Sequence, residues 1–139
     1  MMSSLPVAGD QGRMAPIQRP AVSVVVPTHN RAELLPALLD ALVAQRVHAI
    51  PYEILVIDNG SVDGTAAAVG AYASPWIHYV FEPRPGVSNA RNTGMQHAAA
   101  KLVAFLDDDL LPAGDWLLRL KDAMDAHPEA DCVGGRIDP

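Results

Sequence analysis

The stretch Ala21-Val-Ser-Val-Val-Val26 is nearly continuous in β-branched residues. A strand with one wet face alternates apolar and polar side chains, so a run of this kind is expected to be covered on both faces. Pro27 is expected to stop it. Leu34, Leu35, Leu38, Leu39 and Leu42 then recur at helical spacing, with Pro36 in the first turn, where proline is tolerated. The cycle repeats down the chain. Glu53 to Ile57, Trp76 to Phe81 and Leu102 to Leu106 read as strands. Between and after them come helices from near Gly64 to about Tyr72, from Val87 to Ala100 and from Trp116 to Ala126. Asp131 to Ile137 reads as a final strand. Alternation of this kind predicts an α/β fold, a mostly parallel sheet with helices on both faces. Residues 1–20 carry three prolines and two glycines without periodicity, and are expected to form a flexible leader before a single domain over 21–139.

Composition supports a packed domain and narrows its partners. Half of the 139 residues are apolar and 19% are charged, a globular balance. Aromatics make up only 5%, so aliphatic side chains must fill the core. No apolar run reaches the roughly 18 residues of a membrane span. The net charge is -6, and nine of the sixteen carboxylates lie between Asp107 and Asp138. That argues against a nucleic-acid surface, which needs a basic stripe. The single cysteine, Cys132, excludes an internal disulfide framework. It reads as a small buried residue on a strand and suits a reducing, cytoplasmic setting.

In open parallel sheets, ligands bind at the carboxyl ends of the strands. Polar clusters fall at those points here: Pro27-Thr-His-Asn30, Asp58-Asn-Gly-Ser61, Glu82, and Asp107-Asp-Asp109. Three adjacent carboxylates repel one another unless something neutralises them. Hard oxygen donors suit Mg²⁺ or Mn²⁺, which bind through one or two carboxylates plus ligand phosphates. A solvated turn with an aspartate helix cap is the plainer alternative. Asp58 can accept from a nucleobase or ribose hydroxyl, while Asn59-Gly60 favours a positive-φ turn and Ser61 or Asp63 can cap the next helix. Arg91, near the start of an alanine-rich helix, can reach an anion over the rim or pair with a nearby carboxylate. Thr28 can donate to a base, and Asn30 can cap. The five histidines show no metal-ligand spacing and read as structural or surface residues. The phosphate-binding loop G-x-x-x-x-G-K-[ST], the dinucleotide fingerprint and G-x-S-x-G are all absent.

Four stretches together resemble the inverting family 2 of glycosyltransferases, of Rossmann-like GT-A fold. They are Val24-Val-Val-Pro-Thr-His-Asn-Arg31, Ile54-Leu-Val-Ile-Asp-Asn-Gly-Ser-Val-Asp-Gly-Thr65, Gly86-Val-Ser-Asn-Ala-Arg-Asn-Thr-Gly94 and Val103-Ala-Phe-Leu-Asp-Asp-Asp109. The resemblance covers residues 21 to about 137, the nucleotide-binding half of that fold. It implies that Pro27, Thr28 and Asn30 lie at the nucleobase end and that Asp58 hydrogen-bonds the base. It also implies that Arg91 holds the nucleotide and that Asp107 meets the ribose. Asp109 or Asp108 would hold a Mg²⁺ or Mn²⁺ ion.

The implied reaction takes a nucleotide-diphosphate sugar as donor and passes the sugar, with inversion, to a hydroxyl of a glycan, lipid or small-molecule acceptor. In the family, the general base comes from a segment after the D-x-D helix and strand, beyond the point where this chain ends. This chain alone is therefore expected to bind donor without transferring it. It is also expected to expose apolar surface that favours self-association, and to work at the inner face of a membrane only through parts not present. The alternatives are a nucleotide-sugar-binding or interaction module without turnover, and a nucleotidyltransferase. The second is disfavoured because the first rim cluster holds neither glycine nor lysine.

Overall fold

A computed structural model describes residues 18–45 and 50–138. The leader expected over 1–20 lies outside the described residues except for 18–20. The elements run β1 (Val22–Thr28), α1 (Leu35–Val43), β2 (Tyr52–Asp58), α2 (Thr65–Gly70), β3 (Ile77–Phe81), α3 (Val87–His97), β4 (Leu102–Phe105) and α4 (Trp116–Ala126). The four strands form one sheet in the order β3-β2-β1-β4, and every pairing is parallel.

The β-branched run sits where its composition demands. Every residue of β1 is buried, between β2 and β4. Val22, Val24, Val26, Ile54 and Val56 face one core with Leu35, Leu38, Leu39 and Leu42 of α1, Val69 of α2 and Leu117 of α4. Val25, Leu55 and Ile57 face the other, with Ala90 of α3. Helices thus cover both faces. Gln45 ties the first layer together: its amide donates to the Ala113 carbonyl (2.8 Å) and its oxygen accepts from the Leu117 N–H (3.0 Å).

Several local expectations need correction. First, Pro27 does not stop β1, which runs on to Thr28. Val25 accepts from Leu106 on the β4 side and Thr28 accepts from Asn59 on the β2 side. By alternation, Pro27 faces the β4 side. There β4 pairs no further than Phe105 with Val25, so no ladder bond needs the missing N–H. Second, α3 ends at His97, short of Ala100. The Ala99 N–H turns instead onto buried Glu53 Oε1 (2.8 Å), and the Ala100 N–H onto Ser23 Oγ (3.0 Å). Ser23 in turn donates to Glu53 (2.5 Å). The end of α3 is therefore fastened to the amino-terminal ends of β1 and β2.

Third, Asp131 to Ile137 forms no strand. Gly134-Gly135 loses more entropy on ordering than any other pair, and the segment lies beside β4 and α4 without joining the sheet. Cys132 is accordingly exposed and off any strand, not a buried strand residue. Similarly, α2 ends at Gly70, before Tyr72. The Tyr72 hydroxyl bonds Asp40 (2.7 Å) and the Pro36 carbonyl (2.9 Å) on α1.

Candidate functional site

The chain leaves β1 through α1 on one face and moves outward to β2 and β3. It returns through α3 on the opposite face to β4, on the other side of β1. This reversal opens a crevice above the carboxyl ends of β1 and β4, the point where such sheets bind ligands. A cavity of about 490 Å³ occupies it, within the range of small-molecule sites. Its floor is Pro27 and Thr28 at the end of β1. One wall is the loop after β4, with Asp107, Asp108 and Asp109, and the other is the first turns of α3, with Val87, Ala90 and Arg91.

The acidic triplet is arranged by its neighbours. Thr28 Oγ1 donates to Asp108 Oδ2 at 2.8 Å, which draws that carboxylate down until its side chain is only 13% exposed. Asp107 and Asp109 stay open, at 54% and 55%. Arg91 Nη2 meets Asp107 Oδ1 at 3.0 Å. Arg31 Nη1 lies 3.4 Å from Asp108 and 3.3 Å from Asp109. Three negative charges therefore face two positive ones, and the imbalance favours a further cation. The Nε of Arg91 is buried and finds no acceptor among the described residues.

Six of the eight residues expected from the sequence converge on this cavity: Pro27, Thr28, Arg91, Asp107, Asp108 and Asp109. The other two stand behind its wall. Asp58 is buried, with Oδ1 accepting from the Ser61 N–H (2.8 Å) and Oδ2 from the Tyr79 hydroxyl (2.7 Å). Burial, then the bond to Asp58 and its charge, push the Tyr79 hydroxyl up to about 12. Asn30 adopts φ 51° and laces two loops together. Its N–H donates to Ser61 Oγ and its side-chain oxygen accepts from the Val62 N–H, both at 2.8 Å. It caps no helix.

Sequence reasoning did not assign His29, Arg31 or Asn59 to the site, yet all three line the cavity. His29 Nδ1 donates to the Asn59 carbonyl at 2.7 Å, and Asn30 Nδ2 donates to His29 Nε2 at 3.1 Å. Asn59 donates to the carbonyls of Glu82 (3.0 Å) and Arg84 (2.6 Å) and accepts from the Gly86 N–H (2.8 Å). It holds the β3–α3 loop, and so the start of α3, against the rim. The expected turn after Asn59 is present, with Gly60 at φ 77°. Asp63 serves the first turn of α2, accepting from both the N–H and the hydroxyl of Thr65 and from the Ala32 N–H. These bonds, Thr65 first, hold its carboxyl below the usual range.

Glu82 also stands back from the cavity. It takes Arg84 Nη2 at 2.8 Å and the hydroxyl of Thr93 on α3, and the Arg84 guanidinium, then Thr93, push its carboxyl down to about 2. A folded-state value below the ordinary 4.5 means that Glu82 contributes stability above about pH 4.5, lost as pH falls through about 2. Urea unfolding between those pH values should therefore show a steeper loss for the wild type than for Glu82→Gln. Parallel slopes would show that the pair carries no linkage.

A family model, glycosyl transferase family 2, matches residues 23–139. The glycosyltransferase AglE of Haloferax volcanii is 34% identical over 122 residues, which cover 86% of this chain and 40% of AglE. Validoxylamine A glucosyltransferase of Streptomyces hygroscopicus subsp. jinggangensis is 43% identical over 95 residues, 66% of this chain and 22% of that protein. Two solved structures share the architecture. The first, Staphylococcus aureus TarS residues 1–349 with UDP, aligns with a TM-score of 0.70 at 26% identity over 85% of this chain and 38% of that one. The second, the mannosyltransferase PcManGT of Pyrobaculum calidifontis with GDP-Man and Mn²⁺, aligns with a TM-score of 0.67 at 34% identity over 78% and 33%. The chain thus spans less than half the length of each of these four relatives. A reversing parallel sheet, an acidic triplet at its switch point and a family match across nearly all of the described residues lead to one assignment: the chain belongs to glycosyl transferase family 2, with a GT-A-type nucleotide-binding fold.

Proposed function

We propose that the cavity binds a nucleotide-diphosphate sugar together with Mg²⁺ or Mn²⁺, as the donor site of an inverting transfer to an acceptor hydroxyl. The observation that carries this is the convergence of Asp107, Asp108 and Asp109 with Thr28, Arg31 and Arg91 around one open cavity at the strand reversal. Solved relatives carry UDP and GDP-Man, the latter with Mn²⁺.

The residues fit a divalent cation in one specific way. Among the described residues no group of three or more His, Cys, Asp and Glu is placed to hold a metal. Mg²⁺ and Mn²⁺ do not require such a cage, because ligand phosphates and water complete their shells. Asp109, open and held only by Arg31, is the residue to hold the ion, with Asp108 steadied beneath it by Thr28. Once bound, the cation neutralises charge on the departing nucleoside diphosphate. In this reading Asp107 would meet the ribose, and Pro27 and Thr28 would line the base pocket. Asn30 and Asp58 act from behind that pocket by fixing its loops. Arg91, with an unsatisfied Nε–H, is suited to a phosphate oxygen.

No helix among the described residues is long and apolar enough to cross a membrane. The proposed setting is the cytoplasm, where donor sugars bearing diphosphates would reach the site.

Calorimetric titration of UDP and GDP tests the reading. With Mn²⁺ present at least one should bind, and chelation by EDTA should weaken that binding at least about tenfold. Affinity indifferent to chelation refutes the metal role. Absence of binding by any nucleoside diphosphate refutes the site.

A further inference from the structure

Resting on the donor-site reading, we infer that Arg31 is a built-in rival of the divalent cation, occupying its place against Asp108 and Asp109 until a diphosphate arrives to receive the guanidinium. Arg31 lies in the β1–α1 loop and lines the same cavity as Arg91, which comes from α3. Its Nη1 reaches two successive carboxylates of the triplet, 3.4 Å from Asp108 Oδ1 and 3.3 Å from Asp109 Oδ2. Asp109 has no other partner among the bonds described, whereas Asp108 also takes Thr28 and Asp107 takes Arg91. Asp109, about half exposed, is thus neutralised by Arg31 alone among the bonds described.

Distances of 3.3–3.4 Å are long for a charge-assisted hydrogen bond, and the Arg31 side chain is 46% exposed. Both features describe a contact that can be exchanged. A divalent ion approaching Asp109 meets a positive charge already there and must displace it. Alone, the ion gains little from the exchange. Arriving with a diphosphate, it brings negative oxygens to which the displaced guanidinium can turn, so both cations end up paired. Metal and nucleotide should therefore bind with strong mutual enhancement, and Arg31 should be the residue that creates it. The enhancement is reciprocal by thermodynamic linkage.

The test is Mn²⁺ binding to the intact chain in the absence of nucleotide, followed by the free-ion electron paramagnetic resonance signal. Arg31→Gln should bind Mn²⁺ about five- to tenfold more tightly than the wild type, because a like charge within a few ångströms of the ion has gone. The gain should vanish when Asp109→Asn is added. Arg31→Lys keeps the charge and should stay near the wild type. The factor by which UDP or GDP raises Mn²⁺ affinity should shrink in Arg31→Gln. A merely structural role for Arg31 cannot raise metal affinity upon its removal. The inference is overturned if a folded Arg31→Gln protein, or Arg31→Ala should glutamine not be tolerated, binds Mn²⁺ no better than the wild type. It is equally overturned if Arg31→Lys gains as much as Arg31→Gln. Failure of the wild type to bind any nucleoside diphosphate would instead sink the donor-site reading, while the metal-only titration would still report on Arg31.

Discussion

Asp109→Asn is expected to lower the affinity for a nucleoside diphosphate by on the order of a hundredfold when Mn²⁺ is present, and to change nothing when EDTA is present. The substitution keeps the size of the side chain and removes the charge that would ligate the cation, so the two conditions separate metal binding from contact with the nucleotide. Asp107→Asn should behave differently. Its carboxylate faces Arg91 and is proposed to meet the ribose, so affinity should fall about tenfold in both conditions. Neither change should cost stability. Both carboxylates are about half exposed, and removing one of three adjacent like charges relieves repulsion. A melting temperature that fell sharply in Asp109→Asn would mean that the triplet is part of the fold's support instead. Calorimetry in the two buffers, with a thermal melt of each variant, decides the matter.

The second large effect is expected at Gly94, in the middle of α3. A methyl group there would lie inside the envelope of the Val25 side chain, 3.0 Å from Cγ2 and 3.2 Å from Cβ, and closer still to Cγ1. Val25 is fully buried in the centre of the sheet. Rotating its χ1 cannot clear a clash that includes Cβ. In an open helix, replacing glycine with alanine would gain about 1 kcal/mol. Here the overpacking term, about 1–3 kcal/mol and at its upper end for a rigid β-branched neighbour, outweighs that gain. Gly94→Ala should therefore melt about 5 °C lower, and Gly94→Val considerably lower still. Because α3 must lift off β1 to make room, nucleotide affinity should fall as well. An unchanged melt would show that α3 and β1 have slack between them.

What the residues reveal in advance follows from the range over which they act. The strands of the sheet were legible because burial on both faces leaves continuous apolar runs, and their ends because polar clusters interrupt those runs. The partners across the cavity were not. Arg31 and Asp109 are 78 positions apart, and nothing local says that the first loop leans toward the fourth. A hint was available in the charge count, since three adjacent acids call for cations and Arg31 directly follows the first rim cluster. Nor was the second partner of Asp58 legible, since Tyr79 comes from a neighbouring strand. The strand expected at 131–137 failed for a related reason. Its composition permits extension, but extension becomes a strand only when a partner's backbone is placed to meet it.

The fastening of Ala99 and Ala100 to Ser23 and Glu53 has a consequence at the other end of the molecule. α3 is a rod of eleven residues, about 16 Å long, stapled at its foot by a carboxylate beneath the sheet and carrying a guanidinium near its head. With the foot pinned and Gly94 seated on Val25, the head has little freedom to tilt. The aim of Arg91 is thus set by a residue that never approaches the ligand, and the sheet's lower margin acts as the mount for what happens on its upper one.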